Sequence, residues 1–454
     1  MSELKKIYSK DGKIIYEGEM SNDLYNGQGK LNYTNALYVG HFVQGLEHGF
    51  GRLTFKDGTY YEGNWHKGKR DGFGKHVSAD GSFFEGNWQD DKPSGKGKIK
   101  QIYSNGIYEG ECFNNQRHGY GKYLFNDKTS YIGEWKDGEK DGEGCKFYSN
   151  GNIEIKGNWL KGILNGKVEL YYKNGKLKYN GEMKNGNFHG YGLYYFENGN
   201  LMYEGTFRSG NFNGEGKLFH QNGLIQYEGN FDNDEFNGNG KYFRQDGSLQ
   251  FNGNFRQDEY EGQGEFYNED ENIIHQGNYE YNEKEGYGQQ FYDSGAIYFE
   301  GNFKNDLKEG HGTLFYENGR KYYEGEFIND KMHGYGKMYS ENGKLIYEGY
   351  FTLDNITGKG KYFYTNGPSA EGDFINGIAH GYCKLFDEKG ILYYEGEVQK
   401  GEFHGKGRLN YTNGGYYLGE FKMGKRHGRG RDYSNDGELF FDGFYNNGER
   451  EALA

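Results

Sequence analysis

Tyr61-Glu62-Gly63-Asn64-Trp65, followed by Gly72-Phe73-Gly74, is the stretch that decides the fold. Ring, glycine and ring at positions i, i+2 and i+4 lie on one face of an extended strand, because side chains alternate along a strand. The second segment continues with the same period of two, as in Gly190–Tyr195. Each copy of the stretch therefore predicts two β-strands and no helix.

The same pattern recurs from end to end. The first glycine of each copy is the anchor of one repeat, and these anchors define repeats 1 to 19 at positions 18, 40, 63, 86, 110, 133, 157, 181, 205, 229, 253, 277, 301, 325, 349, 372, 396, 419 and 443. Val168 and Cys383 replace the second glycine of Gly-x-Gly, while Ile155, His275 and Ala370 replace the leading ring. Because the spacing is 22 to 24 residues throughout, no stretch remains for a second domain.

Turn chemistry favours hairpins joined in series. Asn-Gly pairs such as Asn174-Gly175 and Asn318-Gly319 stand between repeats, and they predict type I′ turns there. Five or six polar residues, as around Lys184–Asn187, are predicted to link the two strands inside a repeat. The 80 glycines nearly match the 84 aromatic rings, so we expect a ring to lie over each glycine. One hairpin cannot offset its own chain entropy, so the repeats must stack.

Composition excludes several classes. Only 2 prolines accompany the 80 glycines among 454 residues, which excludes collagen, and the many rings argue against disorder. The net charge of −13 disfavours nucleic acid as a partner. The mean hydropathy is −1.07, and neither a signal peptide nor a prenylation cysteine is expected at the ends. Cys112, Cys145 and Cys383 lie far apart and suit a reducing, cytoplasmic compartment.

The repeat resembles the MORN family (membrane occupation and recognition nexus), whose unit reads close to Tyr-Glu-Gly-x-Trp-x-x-Gly-x-x-x-Gly-x-Gly. Tyr61 to Gly74 matches that unit residue by residue. The resemblance implies an all-β fold: an elongated, single-layer, twisted antiparallel meander of stacked β-hairpins, a solenoid-like ribbon that is often paired into dimers. We expect a half-repeat at 1–15, the repeat array at 16–443 with a truncated last unit, and a C-terminal end at 444–454.

No residue constellation predicts catalysis, a cofactor or a metal site, so we expect no enzyme. Seven histidines precede a Gly-x-Gly, and we assign them a structural role at a turn: His48, His118, His189, His333, His380, His404 and His427. Placed one repeat or more apart, they would be too distant to share an ion. The Gly-x-Gly pairs lack the following helix of a phosphate-binding loop. Four tryptophans at the second ring position are assigned to the core: Trp65, Trp88, Trp135 and Trp159.

Charge distribution indicates a candidate docking site near the C-terminus. It consists of Lys422, Lys425, Arg426, Arg429, Arg431, Phe444 and Tyr445. Repeat 19 stops after Gly443-Phe444-Tyr445 without its second strand, so we expect self-association or partner docking there. Segment 258–285 instead holds ten acids and one lysine. The other interpretation of these charges is a solvated, variable face.

The resemblance and the absence of a site indicate a non-enzymatic scaffold of the cytoskeleton. Chains made only of this repeat resemble ciliary scaffolds, including radial-spoke heads, and basal or cortical scaffolds of unicellular eukaryotes. We expect a place in the axoneme of a motile cilium, with cytoskeletal or axonemal proteins as partners and a homodimer or end-to-end self-association. The alternative is a phosphoinositide-binding peripheral membrane protein that tethers partners to the membrane or cell cortex, with anionic lipid bound by the basic C-terminal residues.

Overall fold

A computed structural model describes residues 3–451, which form 39 β-strands and no helix. Residues 1–2 and 452–454 of the predicted end segments lie outside the described residues. The first strands are β1 (Glu3–Tyr8), β2 (Ile14–Ser21), β3 (Leu24–Asn32), β4 (Ala36–Val43), β5 (Leu46–Phe55), β6 (Tyr60–His66), β7 (Lys69–Val77), β8 (Phe83–Gln89), β9 (Lys92–Tyr103), β10 (Gly106–Phe113), β11 (Gln116–Phe125), β12 (Ser130–Lys136), β13 (Glu139–Phe147), β14 (Ile153–Leu160), β15 (Ile163–Tyr171), β16 (Leu177–Lys184), β17 (Asn187–Tyr195), β18 (Leu201–Arg208) and β19 (Asn211–Phe219). The others are β20 (Ile225–Asp232), β21 (Glu235–Phe243), β22 (Leu249–Arg256), β23 (Glu259–Tyr267), β24 (Ile273–Glu280), β25 (Glu283–Phe291), β26 (Ile297–Lys304), β27 (Leu307–Phe315), β28 (Lys321–Ile328), β29 (Lys331–Tyr339), β30 (Leu345–Thr352), β31 (Asn355–Phe363), β32 (Ser369–Ile375), β33 (Ile378–Phe386), β34 (Leu392–Gln399), β35 (Glu402–Asn410), β36 (Tyr416–Lys422), β37 (Lys425–Tyr433), β38 (Leu439–Asn446) and β39 (Glu449–Arg450).

The strands pair antiparallel with their chain neighbours. The chain divides into two compact units, Met1–Leu224 with Asp232–Asp234, and Ile225–Phe231 with Glu235–Ala454. In the first unit β1 to β19 pair in chain order. In the second unit β21 to β39 do the same. The predicted all-β antiparallel meander of hairpins is confirmed.

The type I′ turns lie inside the repeats. In repeat 14, Asn329 and Asp330 form the two-residue turn between β28 and β29, with φ of 49° and 67°. The prediction of type I′ turns between repeats was wrong. At Asn318-Gly319 only the glycine has a positive φ, and its N–H donates to the carbonyl of Tyr316 at 2.9 Å, which is a type I turn followed by a left-handed glycine. The predicted linker of five or six residues inside the repeat was also wrong, because a two-residue turn joins the two strands there.

A β-bulge at the Gly-x-Gly bends the repeats, repeats 3 and 14 among them. In repeat 14, Gly325 pairs with Gly336 and the next residue, Glu326, pairs with His333, so the second strand holds two extra residues at this point. One of them is Gly334 with φ of 64°, a conformation that favours glycine. The bend brings the start of the second strand back over the leading ring. The expectation of a ring over each glycine was therefore wrong, because this glycine serves the bulge.

The other two glycines make room for the leading ring. A Cβ on Gly336 would lie 2.5 Å from the ring and the hydroxyl of Tyr323. The hydroxyl reaches across the glycine pair and donates to the carbonyl of Glu326 at 3.0 Å. Met332 packs in the same buried cluster as Tyr323, which is wholly buried. Burial raises the pKa of the Tyr323 hydroxyl well above its usual range, so the group stays neutral and donates.

Two irregular repeats support this packing rule. In repeat 7, Ile155 takes the place of the leading ring and Val168 takes the place of the second glycine, and Val168 is buried. In repeat 16, Ala370 and Cys383 occupy the same two places, and the thiol of Cys383 lies 3.4 Å from the carbonyl of His380. Where the ring is lost, the space that it leaves is filled from the glycine position. His275 keeps a ring, and its glycine partner Gly288 is retained.

The inner face carries the leading rings, the paired glycines and the second rings, and edge-to-face aromatic contacts run between neighbouring repeats along much of it. Tyr61 meets Trp65 of its own repeat at 5.1 Å and Trp88 of the next at 5.2 Å, both edge-to-face. The Trp65 indole N–H also donates to the carbonyl of Gly51 at 3.1 Å. All four tryptophans are buried, as assigned from the sequence. Where both ring positions are aromatic, neighbouring repeats share their rings, so such a repeat does not complete its core alone.

Candidate interaction surface

The outer face carries the side chains that point away from the ring ladder. In places its charged residues alternate across the strands, as where Glu348, the acid after a leading ring, lies opposite Lys337 on one neighbouring strand and Lys361 on the other. Ion pairs join Lys337 to Glu348 at 3.2 Å, Lys361 to Glu371 at 3.6 Å and Lys384 to Glu395 at 3.4 Å. Exposed pairs of this kind contribute under about 1 kcal/mol each. Their charges therefore remain available to a partner.

Exposed rings stand on the same face, at the middle position of Gly-x-Gly. They are Phe50, Phe73, Tyr120, Tyr191, Tyr287, Tyr335 and Tyr382. Two of the tyrosines donate to outer-face glutamates: Tyr335 to Glu348 at 2.8 Å, and Tyr382, where Cys383 replaces the second glycine, to Glu395 at 3.0 Å. The Tyr335 hydroxyl and the Lys337 ammonium together lower the pKa of Glu348. This outer column of rings was missed from the sequence, although the alternation around Gly-x-Gly places the middle residue opposite the core.

Three grooves open along the outer face. One, of about 520 Å³, lies between Tyr335 and Tyr382, and its floor includes the backbone of Gly360 and Gly372. A groove of about 630 Å³ includes Phe73 in its lining, and one of about 480 Å³ includes Tyr120. All three combine an exposed ring, bare glycine backbone and both charge signs. The outer face thus offers the same kind of shallow, amphipathic site more than once.

The predicted C-terminal docking residues do not form one free basic cluster. Arg426 folds inward: it donates to the Tyr411 hydroxyl at 3.0 Å and to the carbonyl of Gly448 at 3.1 Å. Its guanidinium lies 4.7 Å from the centre of the Tyr445 ring. Asp442 forms ion pairs with two arginines, with Arg431 at 3.0 Å and with Arg429 at 3.5 Å. Lys422 and Lys425 are exposed and face each other across the last type I′ turn before β37.

Asp432 is the centre of a buried hydrogen-bond network at the C-terminal end. Burial alone would raise its pKa, but hydrogen bonds from Tyr445, Arg450 and Tyr411 together hold the pKa below its usual value. The Arg450 contact is 2.7 Å long. Tyr445 is buried in this network, whereas Phe444 is exposed.

Repeat 19 does have a short second strand, contrary to the sequence prediction. Strand β39 holds two residues and pairs with the end of β38, with Tyr445 opposite Arg450 and Asn446 opposite Glu449. Docking at this end, by either Phe444 or the basic residues, stays a prediction.

In the acidic segment 258–285, some carboxylates accept hydrogen bonds within the fold and others are exposed. Asp258 accepts the backbone N–H of Phe236 at 2.7 Å, and Glu265 accepts a hydrogen bond from the Tyr267 hydroxyl at 2.6 Å. Glu280 and Glu283 are exposed and lie directly opposite each other at the tip of repeat 12. Like charges in that position are destabilising, so the pair is not explained by the fold.

The seven histidines that precede a Gly-x-Gly lie at the bulges, and one of them, His48, lies beside His66 of the next repeat, with 5.0 Å between the ring centres. His333, for example, lies opposite Glu326 in the bulge of repeat 14. Within residues 3–451, no three His, Cys, Asp or Glu side chains are grouped so that they could hold a metal ion. A helix with the length and apolarity that a bilayer crossing requires is likewise not found among these residues.

Comparison with known proteins identifies the repeat. The MORN repeat matches residues 16–35, 38–60, 61–83, 84–100, 108–130, 131–153, 179–201, 203–225, 227–249, 251–272, 299–319, 323–344, 347–369, 371–390, 394–416 and 417–437. A MORN repeat variant matches 164–185 and 284–305, which begin nine residues after Ile155 and His275, the residues that replace the leading rings of repeats 7 and 12. The comparison with curated proteins returned no match. Since the matches cover most of its length, the chain belongs to the MORN-repeat family.

Proposed function

We propose that the protein is a non-enzymatic scaffold of the cytoskeleton, placed in the axoneme of a motile cilium, such as in the radial-spoke head. Membership of the MORN-repeat family indicates a scaffold that binds proteins or associates with membranes. The observation that favours proteins is the outer face, where exposed rings and shallow grooves recur along the chain.

The chemistry of these grooves suits protein side chains. An aromatic ring supplies apolar area, while bare glycine backbone and alternating lysine and glutamate supply hydrogen-bond and charge partners. Each groove is shallow, so a single contact is weak. Several such contacts to one partner, or to a row of identical partners, raise the overall affinity through effective concentration without any new contact type. A repeating surface therefore fits a repeating partner such as a cytoskeletal assembly.

The proposal is tested by imaging and fractionation. The tagged protein is expressed in ciliated cells, which are then extracted with detergent to leave axonemes. We expect the protein to stay with the axonemes, and the double variant Tyr335→Ser with Tyr382→Ser to be lost from them by several fold. Tyr8→Ser, an exposed ring on β1 outside the grooves, is the matched control. Retention of the protein in a cortical or basal structure instead would reject the axonemal setting.

The membrane alternative rests on the exposed tip formed by Lys422 and Lys425. Arg426 and Arg431 have partners inside the chain, and the net charge is −13, so less basic surface is available than the sequence suggested. Sedimentation with phosphoinositide vesicles over a salt series separates the two functions. Salt-sensitive binding that is lost in Lys422→Glu with Lys425→Glu would favour the membrane function.

A further inference from the structure

The outer face of repeats 4 and 5 carries a group of lysines that the fold does not pair, and we call this group the lysine row. Lys96, Lys98 and Lys100 stand at alternate positions of β9, and Lys122 stands on β11. Within residues 3–451, none of their ammonium groups forms an ion pair. The lysines that follow the second repeat position of Gly-x-Gly in repeats 14 to 16 are instead paired with glutamates. The lysine row is therefore a different kind of surface from the rest of the outer face.

The acids opposite the centre of the lysine row are engaged elsewhere. Lys98 lies opposite Glu85 on β8 and opposite Glu111 on β10. Glu85 forms an ion pair with Lys75 at 3.0 Å. The Glu111 carboxylate accepts the backbone N–H of Tyr120 at 3.0 Å. Neither carboxylate is left to neutralise Lys98.

The other members of the lysine row have little negative charge beside them. A single acid, Glu109, lies between Lys100 on β9 and Lys122 on β11. Lys96 lies opposite Phe113 on β10. The lysine row is thus a local excess of positive charge in a chain whose net charge is −13.

The lysine row also borders an outer-face groove. The groove of about 630 Å³ is lined by Phe73, Lys96 and Lys98, and by Gly86 and Gly97. Phe73 is 58% exposed, so its ring forms an open apolar wall. Because glycine has no side chain, another chain can approach the sheet closely at Gly86 and Gly97.

We propose that this surface binds an extended acidic segment of a partner protein, with a carboxylate at every second residue. Alternate side chains of a strand are about 6.8 Å apart, and those of an extended segment that lies along β9 have the same spacing. Carboxylates at positions i, i+2 and i+4 of the segment therefore meet Lys96, Lys98 and Lys100 in register. The inference rests on the proposed scaffold role, since it names the chemistry of one partner of the outer face.

The charge pattern favours a protein segment over a membrane. Glu109 and Glu111 are exposed among the lysines, and a membrane surface of uniform negative charge is repelled by both. A protein segment places its carboxylates only at the lysines and covers the two glutamates with uncharged groups. Complementarity of this kind selects one partner sequence against others.

Fluorescence anisotropy of a fluorescein-labelled peptide of repeated Glu-Ser, titrated with the full chain at low salt, tests the surface. We expect saturable binding that weakens as salt is added. The triple variant of β9, Lys96→Gln with Lys98→Gln and Lys100→Gln, should raise the dissociation constant at least about tenfold. Because these lysines have no ion pair in the fold, the substitutions remove the charge without breaking a contact.

The matched control takes the same charge from lysines that the fold does pair. Lys337→Gln with Lys361→Gln and Lys384→Gln should change the dissociation constant less than about twofold. Equal weakening in the two triple variants would reduce the effect to net charge and overturn the proposal. A wild-type chain that does not bind the peptide would overturn it as well.

A second peptide tests the register. Repeated Glu-Glu-Ser-Ser has the same composition, but when extended it presents a carboxylate to the sheet only at every fourth residue. It should bind about fivefold more weakly or worse. Equal affinity for the two peptides would reject the alternating register.

Sedimentation with vesicles of phosphatidylserine and phosphatidylcholine covers the membrane outcome. Vesicle binding that is lost in the β9 triple variant, without any binding of the peptide, would assign the lysine row to a membrane and overturn the proposal. Retention on axonemes is measured separately, so the two failures are distinguishable. A chain that stays with the axonemes but does not bind the peptide rejects this inference alone, whereas a chain that binds the peptide but leaves the axonemes rejects the axonemal setting alone.

Discussion

The packing of a ring over paired glycines predicts the effect of one added methyl group. In Gly336→Ala, the new Cβ would lie 2.5 Å from the Tyr323 ring, so the ring must move. Overpacking costs about 1–3 kcal/mol, and losing the bond to Glu326 costs about 1 kcal/mol more. Restricting the unfolded chain returns about 0.4–1 kcal/mol. We expect repeat 14 to lose about 1–3 kcal/mol of local stability.

The assay is hydrogen exchange of segment 321–351 in the full chain, because repeat proteins open locally rather than as a whole. The expected loss corresponds to amide exchange that is about 5- to 150-fold faster. In a Tyr323→Ala background the same Gly336→Ala change should cost nothing, since the clashing ring is gone. An equal cost in both backgrounds, or no cost in either, would refute the reasoning.

Three further predictions address other parts of the chain. Burial, and to a smaller extent the charge of Lys284, lowers the pKa of His275 to about 3, so between pH 6.5 and 3 only the unfolded chain binds a proton there. Local stability should therefore fall by about 2 kcal/mol from pH 7 to pH 5. Hydrogen exchange of segment 273–280, corrected for intrinsic rates, should report this loss, and the loss should disappear in His275→Phe. Asp330 accepts the backbone N–H of Lys308 at 2.9 Å, so Asp330→Gly should speed exchange of that amide about fivefold, while Asp330→Asn should not. Asp432→Asn should raise exchange of segment 439–450 about tenfold or more, because Arg450 loses a buried carboxylate; unchanged exchange would remove Asp432 from its central role.

Hairpin stacking could be predicted from the sequence because the ring, glycine and ring pattern has a period of two and recurs without a break. The positions of the tight turns could not. The most recognisable turn pair, Asn318-Gly319, lies between repeats, while the type I′ turns include pairs as unlikely as Leu353-Asp354. An aspartate at the second turn position accepts an N–H from the preceding repeat, as Asp354 does from Met332 at 2.8 Å. That contact stabilises the turn from outside its own sequence.

The candidate surface was predicted less well for a related reason. A ring at the middle of Gly-x-Gly, such as Tyr335, is chemically the same as the buried ring of Tyr323, so residue type alone does not say which of the two is exposed. The alternation does, because Tyr335 adjoins Gly336, which faces Tyr323. The charge of Arg426 suggested a free docking group, yet the folded chain brings Tyr411 and Gly448 to it from two connections between other strands. Sequence distance hides both contacts.

Removing one whole repeat tests the central claim most directly, namely that each hairpin is held by its neighbours through shared rings over glycines. Deletion of residues 299–322 takes out repeat 13 and places Tyr323 where Phe299 stood. We expect an unchanged β-type circular dichroism spectrum per residue and unchanged amide protection in the flanking repeats. Deletion of half a repeat, residues 299–310, should lower protection on both sides. Equal damage from the two deletions would contradict the account.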